Sequence, residues 1–274
     1  MAFMQFDFYS KALNYHTTVN VVLPVPDPDD TLLGFENRYP EPGEKYQTLY
    51  LLHGMMSDHS GWMRYSNVER YAQAKKLAVV MPNACNSFYT DYAFGSKFYT
   101  YYTEELPKIL RSVLPLSEKR EDNFIAGLSM GGYGALYAAL TKPEQYAAAA
   151  SLSGAIDLFG ETEHPSAAIL SEDTFKDIYG KDYEYFSKEK NSLRTIAKEK
   201  AAAGVELPKL YIACGTEDFL YESNQSGRDY FKSLGLDVTY EEGPGRHEWD
   251  FWDPYIRRVI ENWLPLKNEI VSDK

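Results

Sequence analysis

The run from Phe124 to Gly134, F-I-A-G-L-S-M-G-G-Y-G, leaves this chain few folds to adopt. Apolar residues lead into Gly127, Ser129 and Gly131, and small apolar residues continue beyond them. Strand, sharp turn and helix form the setting in which G-x-S-x-G lifts a serine hydroxyl to the top of a sheet. The turn demands strained backbone geometry at Ser129. Gly127 and Gly131 are expected because strand and helix pass too close there for a Cβ. A five-residue pattern also arises by chance. The reading therefore requires a base, an acid and an oxyanion hole elsewhere in the chain.

The flanking sequence supplies the rest of a layered fold. Ala2 to Tyr9 and Tyr15 to Leu23 alternate apolar and polar residues like half-buried strands, with His16 and Asn20 expected to face outward. Pro24 to Pro42, rich in Pro, Asp and Gly, is predicted as an exposed loop between two strands of a hairpin. Thr48–Leu52, Leu77–Met81, Phe124 onward and Ala147–Leu152 are short apolar runs of the kind found in central parallel strands. Leu210–Cys214 and Val238–Glu242 complete the strand set. Helical spacing covers Val68–Lys76, Phe98–Val113 (with Pro107 as a kink or late start), the stretch from the elbow to Thr141, Tyr221–Leu234 and Phe251–Leu264. Strands alternating with helices predict a mostly parallel sheet covered on both faces, with an antiparallel edge from the opening strand pair. That is the α/β-hydrolase plan. The 274 residues suit one large core, so residues 1–274 are expected to form a single domain. Ser153 to Pro208 breaks the rhythm. From Ala155 onward it is expected to be a lid-like insertion over the top of the sheet.

A serine hydroxyl needs a base to take its proton, and the base needs a carboxylate to fix its tautomer. In this fold they follow the serine in the order acid, then histidine. His247, in G-P-G-R-H-E-W after the last strand, is the one histidine beyond the insertion. His16 and His164 are misplaced for the role, and His53 and His59 belong to an earlier loop. The acid is expected after Leu210–Cys214, in G-T-E-D-F-L-Y. Asp218 is the choice, with Phe219 beside it to bury its surroundings and Glu217 as the fallback. Asp157 is a weaker candidate, and Glu248 and Asp250 are too near His247 in sequence to reach its inner nitrogen. The oxyanion hole needs two backbone N–H groups. Met130 offers one and Met55, in the H-G-M loop after the third strand, the other. His53 is expected to brace that loop by hydrogen bonding.

Several classes are excluded. A net charge of −12 without a basic run argues against nucleic acid and anionic membrane as partners. M-A-F-M-Q-F-D-F is not a signal peptide, and no run is long enough for a membrane span, so a cytoplasmic protein is expected. Cys85 and Cys214, far apart and without C-x-x-C, are read as reduced packing residues. His53, Asp58 and His59 match no zinc spacing, and no dinucleotide or phosphate motif is present, so neither metal nor cofactor is expected. The 23 tyrosines are assigned mainly to core and rim. A polar lid over a Tyr-rich cleft, without a long apolar lid helix, points to acetyl to butyryl esters.

In combination, L-Y-L-L-H-G-M-M-S-D-H-S-G-W, M-P-N…F-Y-T-D, F-Y-T-Y-Y-T-E-E-L-P, G-L-S-M-G-G-Y-G-A, C-G-T-E-D-F-L-Y and G-R-H-E-W-D-F-W resemble the esterase D group, and most of all the tributyrin esterases of Gram-positive bacteria. The resemblance spans nearly the whole chain. It implies an α/β-hydrolase fold, a carboxylesterase for short acyl chains, Ser129, Asp218 and His247 as the triad, and Met55 and Met130 as oxyanion donors. The implied partner is a small-molecule ester. Homo-oligomers are common among such enzymes, though no interface is readable here. The superfamily also holds S-formylglutathione hydrolases, feruloyl esterases, acetylxylan esterases and mycolyl transferases. Formylglutathione enzymes usually carry His where this chain has Leu128 and Tyr133, which lowers the thioesterase reading. Feruloyl and acetyl-sugar esters, and acyl transfer in place of hydrolysis, stay open.

Overall fold

The computed structural model describes residues 1–28, 32, 39–158, 172–181, 188–267, 269 and 271–272. β1 (Ala2–Ser10) alternates half-buried and exposed side chains, as one covered face requires. It turns back through Asn14, at φ 65°, into β2 (Tyr15–Leu23). The two pair antiparallel along their whole length, from Ala2 opposite Leu23 to Ser10 opposite Tyr15. Then come β3 (Gln47–Leu52), β4 (Leu77–Pro82), β5 (Asn123–Leu128), β6 (Ala148–Leu152), β7 (Lys209–Gly215) and β8 (Val238–Gly243). Every residue of β3 to β6 is buried, which explains their continuous apolar runs.

The eight strands lie in the order β1-β2-β4-β3-β5-β6-β7-β8. β2 runs antiparallel to β4, and every pairing from β4 to β8 is parallel. β2 thus pairs with β1 and β4, so Pro24–Pro42 is not a hairpin loop. The chain must cross β4's place to reach β3. Residues 29–31 and 33–38 of that loop lie outside the described set.

One face of the sheet packs α1 (Gly61–Tyr65), α2 (Val68–Ala74) and α8 (Trp249–Arg258). The other packs α3 (Leu106–Val113), α4 (Met130–Thr141), α6 (Leu193–Ala202) and α7 (Tyr221–Ser233). α5 (Glu172–Tyr179) places Ile178 and Tyr179 in the same cluster. The predicted Phe98–Val113 helix is present but widens into a π turn at Tyr101–Glu105, where the Leu106 N–H reaches back to the Tyr101 carbonyl. Pro107, which has no N–H, follows at once, and the wide turn accommodates it.

Part of the anticipated insertion is a packed helix. Leu193, Ile196 and Ala197 of α6 are buried, and α6 lies against α4 and α7. Residues 159–171 and 182–187, which the lid expectation also spans, are outside the described set, as is His164.

Three further expectations need correction. Asn20 does not face solvent: it is 2% exposed and donates to the His59 carbonyl at 3.0 Å. Alternation alone could not reveal that a loop covers that position. Cys85 is exposed on a left-handed turn at φ 48°, whereas Cys214 is the buried packing residue; both are free thiols. Phe219 is itself 63% exposed, while Asp218 beside it is buried. The cleft is not Tyr-rich: among the described residues Tyr65 is the tyrosine in its lining, while Tyr50, Tyr89, Tyr101, Tyr102, Tyr133 and Tyr146 are buried in the core, where most tyrosines were assigned.

Candidate active site

Ser129 joins β5 to α4 with φ 53° and ψ −117°, a conformation that costs an L-residue roughly 1–3 kcal/mol. The fold imposes it from both sides. The Ser129 N–H donates to the Leu152 carbonyl at 2.9 Å, and its own carbonyl accepts from Tyr133 and Ala155 at 3.1 and 3.3 Å. The two glycines act as the sequence predicts. A Cβ on Gly127 would sit 2.2 Å from the Gly131 oxygen, and one on Gly131 would sit 2.5 Å from the Leu52 oxygen.

β7 and β8 end side by side, with Gly215 opposite Gly243. The loops that follow touch so closely that a Cβ on Gly215 would lie 2.1 Å from the Gly245 oxygen. This contact brings Asp218 to His247. The Nδ1 of His247 lies 2.9 Å from Oδ2 and 3.1 Å from Oδ1 of Asp218. The Asp218 side chain is wholly buried, and Oδ1 also accepts the Leu220 N–H at 2.9 Å. An ionised carboxylate only accepts hydrogen bonds, so the imidazole proton sits on Nδ1 and Nε2 is left as the basic atom. Glu217 does other work. It accepts the Gly245 N–H at 2.6 Å, and that bond holds its carboxyl below the usual range. The structure therefore joins Asp218, not the fallback, to His247.

The loop after β3 approaches the serine from the other side. A Cβ on Gly54 would lie 2.5 Å from Leu128 Cδ1 and 3.5 Å from Ser129 Cβ. His53 braces this loop. Its Nε2 accepts the Ala84 N–H at 2.9 Å, so Nδ1 carries the proton and donates to the Gly54 carbonyl at 2.7 Å. Burial lowers its pKa to about 4. Tyr89 donates to the His53 carbonyl, and the Met56 N–H donates to Asn86 Oδ1 at 2.8 Å. Among the described residues, neither the Met55 nor the Met130 N–H donates to a protein acceptor.

A cleft of about 710 Å³ opens over Ser129 and His247. Gly54, Met55, Met56 and Leu128 line one part of it, and Tyr65, Phe219, Trp249 and Trp252 another. Sequence reasoning did not assign these aromatic walls. The His247 ring is packed by Phe219 (centroids 4.7 Å apart) and meets the edge of Trp252 (4.9 Å, 88°). Trp252 is fixed in turn by its Nε1 bond to Ser153 Oγ at 3.1 Å. The signal was present in H-E-W-D-F-W: the start of α8 returns Trp249 and Trp252, three apart, beside the histidine that precedes it.

The sheet order, the strained serine turn and the cleft above it define an α/β-hydrolase of the serine type. The family model described as "Putative esterase" matches residues 10–259, and the chain belongs to that family. An acetyl esterase of Caldicellulosiruptor saccharolyticus is 34% identical over 268 residues, 96% of this chain and 98% of the relative. The substrate-bound fluorophosphonate-binding serine hydrolase F of Staphylococcus aureus superposes with a TM-score of 0.81 at 33% identity, over 96% of this chain and 98% of that one. An S-formylglutathione hydrolase of Staphylococcus aureus gives 0.80 and 33% over the same shares. The protein is a carboxylic ester hydrolase of the esterase D-like group. No helix among the described residues is long and apolar enough to cross a membrane.

Proposed function

We propose that this chain is a serine carboxylesterase for small esters with short acyl chains, acetyl to butyryl, close to the tributyrin esterases. The observation that carries the proposal is His247, held by buried Asp218 in the lining of the cleft that also contains Ser129. In this reading His247 Nε2 takes the Ser129 proton as Oγ attacks the ester carbonyl. The resulting imidazolium is stabilised by Asp218. The Met55 and Met130 N–H groups receive the oxyanion. Collapse of the tetrahedral intermediate expels the alcohol, which takes the proton from His247. Water then repeats the attack on the acyl-enzyme, and the acid leaves from Ser129. No cofactor enters any step. Ala155–Pro208 is proposed to influence substrate choice.

A second reading is supported by the likeness to the Staphylococcus aureus S-formylglutathione hydrolase. Tyr133 carries less weight against it than the sequence suggested. It is fully buried, donates to the Asn191 carbonyl at 2.7 Å and does not line the cleft, whereas Leu128 does.

The test is kcat/KM for aryl esters from acetate to octanoate, with feruloyl and S-formylglutathione substrates alongside and Ser129→Ala as blank. A maximum at acetate to butyrate supports the esterase reading. A dominant rate on S-formylglutathione replaces it with the thioesterase. An acyl product on added alcohol, in preference to free acid, indicates a transferase.

A further inference from the structure

Arg194, in the first turn of α6, takes no part in the proposed reaction. It is only 8% exposed, yet no carboxylate among the described residues forms an ion pair with it. One terminal nitrogen donates to Ser226 Oγ on α7 at 2.9 Å. The Tyr230 ring covers the guanidinium, with its centroid 4.8 Å away. The Nε is buried and, among the described residues, has no hydrogen-bond partner. A guanidinium carries five N–H donors and stays charged at any working pH. Withdrawing it from water is expensive without a counter-charge, and one hydroxyl and one aromatic face offset only part of that cost. The fold therefore holds a cation in place with donors left over.

The surroundings suit a ligand. Arg194 lines a groove of about 520 Å³ together with Thr195, Lys198, Glu199, Ala202 and Tyr230. Lys198 is exposed one turn beyond Arg194, on the same side of the helix. Tyr230 and Ala202 give an apolar wall for an organic remainder. Glu199 opposes a heavily charged ligand.

We propose that this groove is a binding site for a small carboxylate- or phosphate-bearing molecule. Arg194 is its anchor, and Lys198 is its second positive charge. The planar donor fork of Arg fits either oxyanion. The site is separate from the esterase cleft, with which it shares no lining residue.

The test is isothermal titration of the full chain with sodium benzoate and, separately, with inorganic phosphate, at constant ionic strength. Saturable binding of either probe is expected. Benzoate alone identifies a carboxylate site, and phosphate alone a phosphate site. Arg194→Gln should weaken binding about tenfold or more, Lys198→Gln about threefold, and Glu199→Gln should tighten it, as charge-assisted hydrogen bonds predict. If Arg194→Gln fails to fold, the two exposed positions decide, because they should move affinity in opposite directions. Protein blocked at the cleft by a fluorophosphonate should bind as well as the free enzyme. Absence of saturable heat, equal affinity in Lys198→Gln and Glu199→Gln, or loss of binding in the blocked protein overturns the proposal.

Discussion

His53 makes acid stability a quantitative test of how the loop after β3 is held. Both of its ring nitrogens are committed, Nε2 to the Ala84 N–H and Nδ1–H to the Gly54 carbonyl. Protonation would have to break the bond at Nε2 and place a cation in a site 2% exposed. Burial accordingly lowers the pKa from 6.5 to about 4. Between those values the unfolded chain's imidazole is protonated while folded His53 is neutral. The unfolded state binds more protons throughout that window, so stability falls as pH falls from 6.5 towards 4 and is flat above it. At 1.36 kcal/mol per pH unit the whole window is worth about 3 kcal/mol, of which about 2 kcal/mol is lost by pH 5. Carboxylates titrate in the same range, so the measurement must be a difference. Urea unfolding would be followed at pH 7.5 and 5.0 for the wild type and for His53→Gln, whose amide can both donate and accept hydrogen bonds but cannot ionise. The variant should be less stable at pH 7.5 by about 1–3 kcal/mol. Its further loss on going to pH 5.0 should be smaller than the wild type's by about 2 kcal/mol. Equal losses in the two proteins would refute the neutral, double-bonded state of His53.

Asp218→Asn should reduce kcat/KM on an aryl acetate by about 10³–10⁴, because an amide can donate to Nδ1 and favour the wrong tautomer. Glu217→Gln, one residue away and bonded to Gly245, should cost less than about tenfold; the reverse ranking would exchange their roles. Gly131→Ala sets a methyl 2.5 Å from the Leu52 oxygen and 2.7 Å from the His53 oxygen. Backbone atoms cannot swing aside, so urea unfolding should show a loss of about 3 kcal/mol or more, or no folded protein at all. Gly95→Ala, at φ 89° with nothing within 4 Å, should cost about 1 kcal/mol by the same assay. Trp252→Ala should destabilise by about 3–5 kcal/mol and also lower kcat, since it removes both the edge packed against His247 and the bond to Ser153; unchanged kcat would make its role purely structural.

Much of the fold was legible because the signals are local. The central strands bury both faces and so read as unbroken apolar runs, and the alternation along β1 marks a strand covered on one side. What lay above and beside a strand was not legible. Asn20 follows the polar phase of its strand, yet it is buried because the His59 loop folds over it. The tyrosines fill the core as their composition suggested, but composition did not mark Trp249 and Trp252 as the residues that, with Tyr65, wall the cleft.

The division has one physical cause. Gly127-Leu128-Ser129-Met130-Gly131 spans five consecutive residues, and the constraint on it is steric and short-range: two backbones too close for a Cβ force the serine into its turn. Sequence by itself therefore determined the strand, the turn and the helix that carry Ser129, and the alternating elements around them. The partnership of His247 with Asp218 spans 29 positions. It depends on β7 and β8 ending in register at Gly215 and Gly243, and on their loops meeting at Gly245. Glu217 and Asp218 are both carboxylates and adjacent in the chain. Only the direction of that turn in space, which sends one carboxylate inward to the imidazole and the other to the Gly245 amide, separates them.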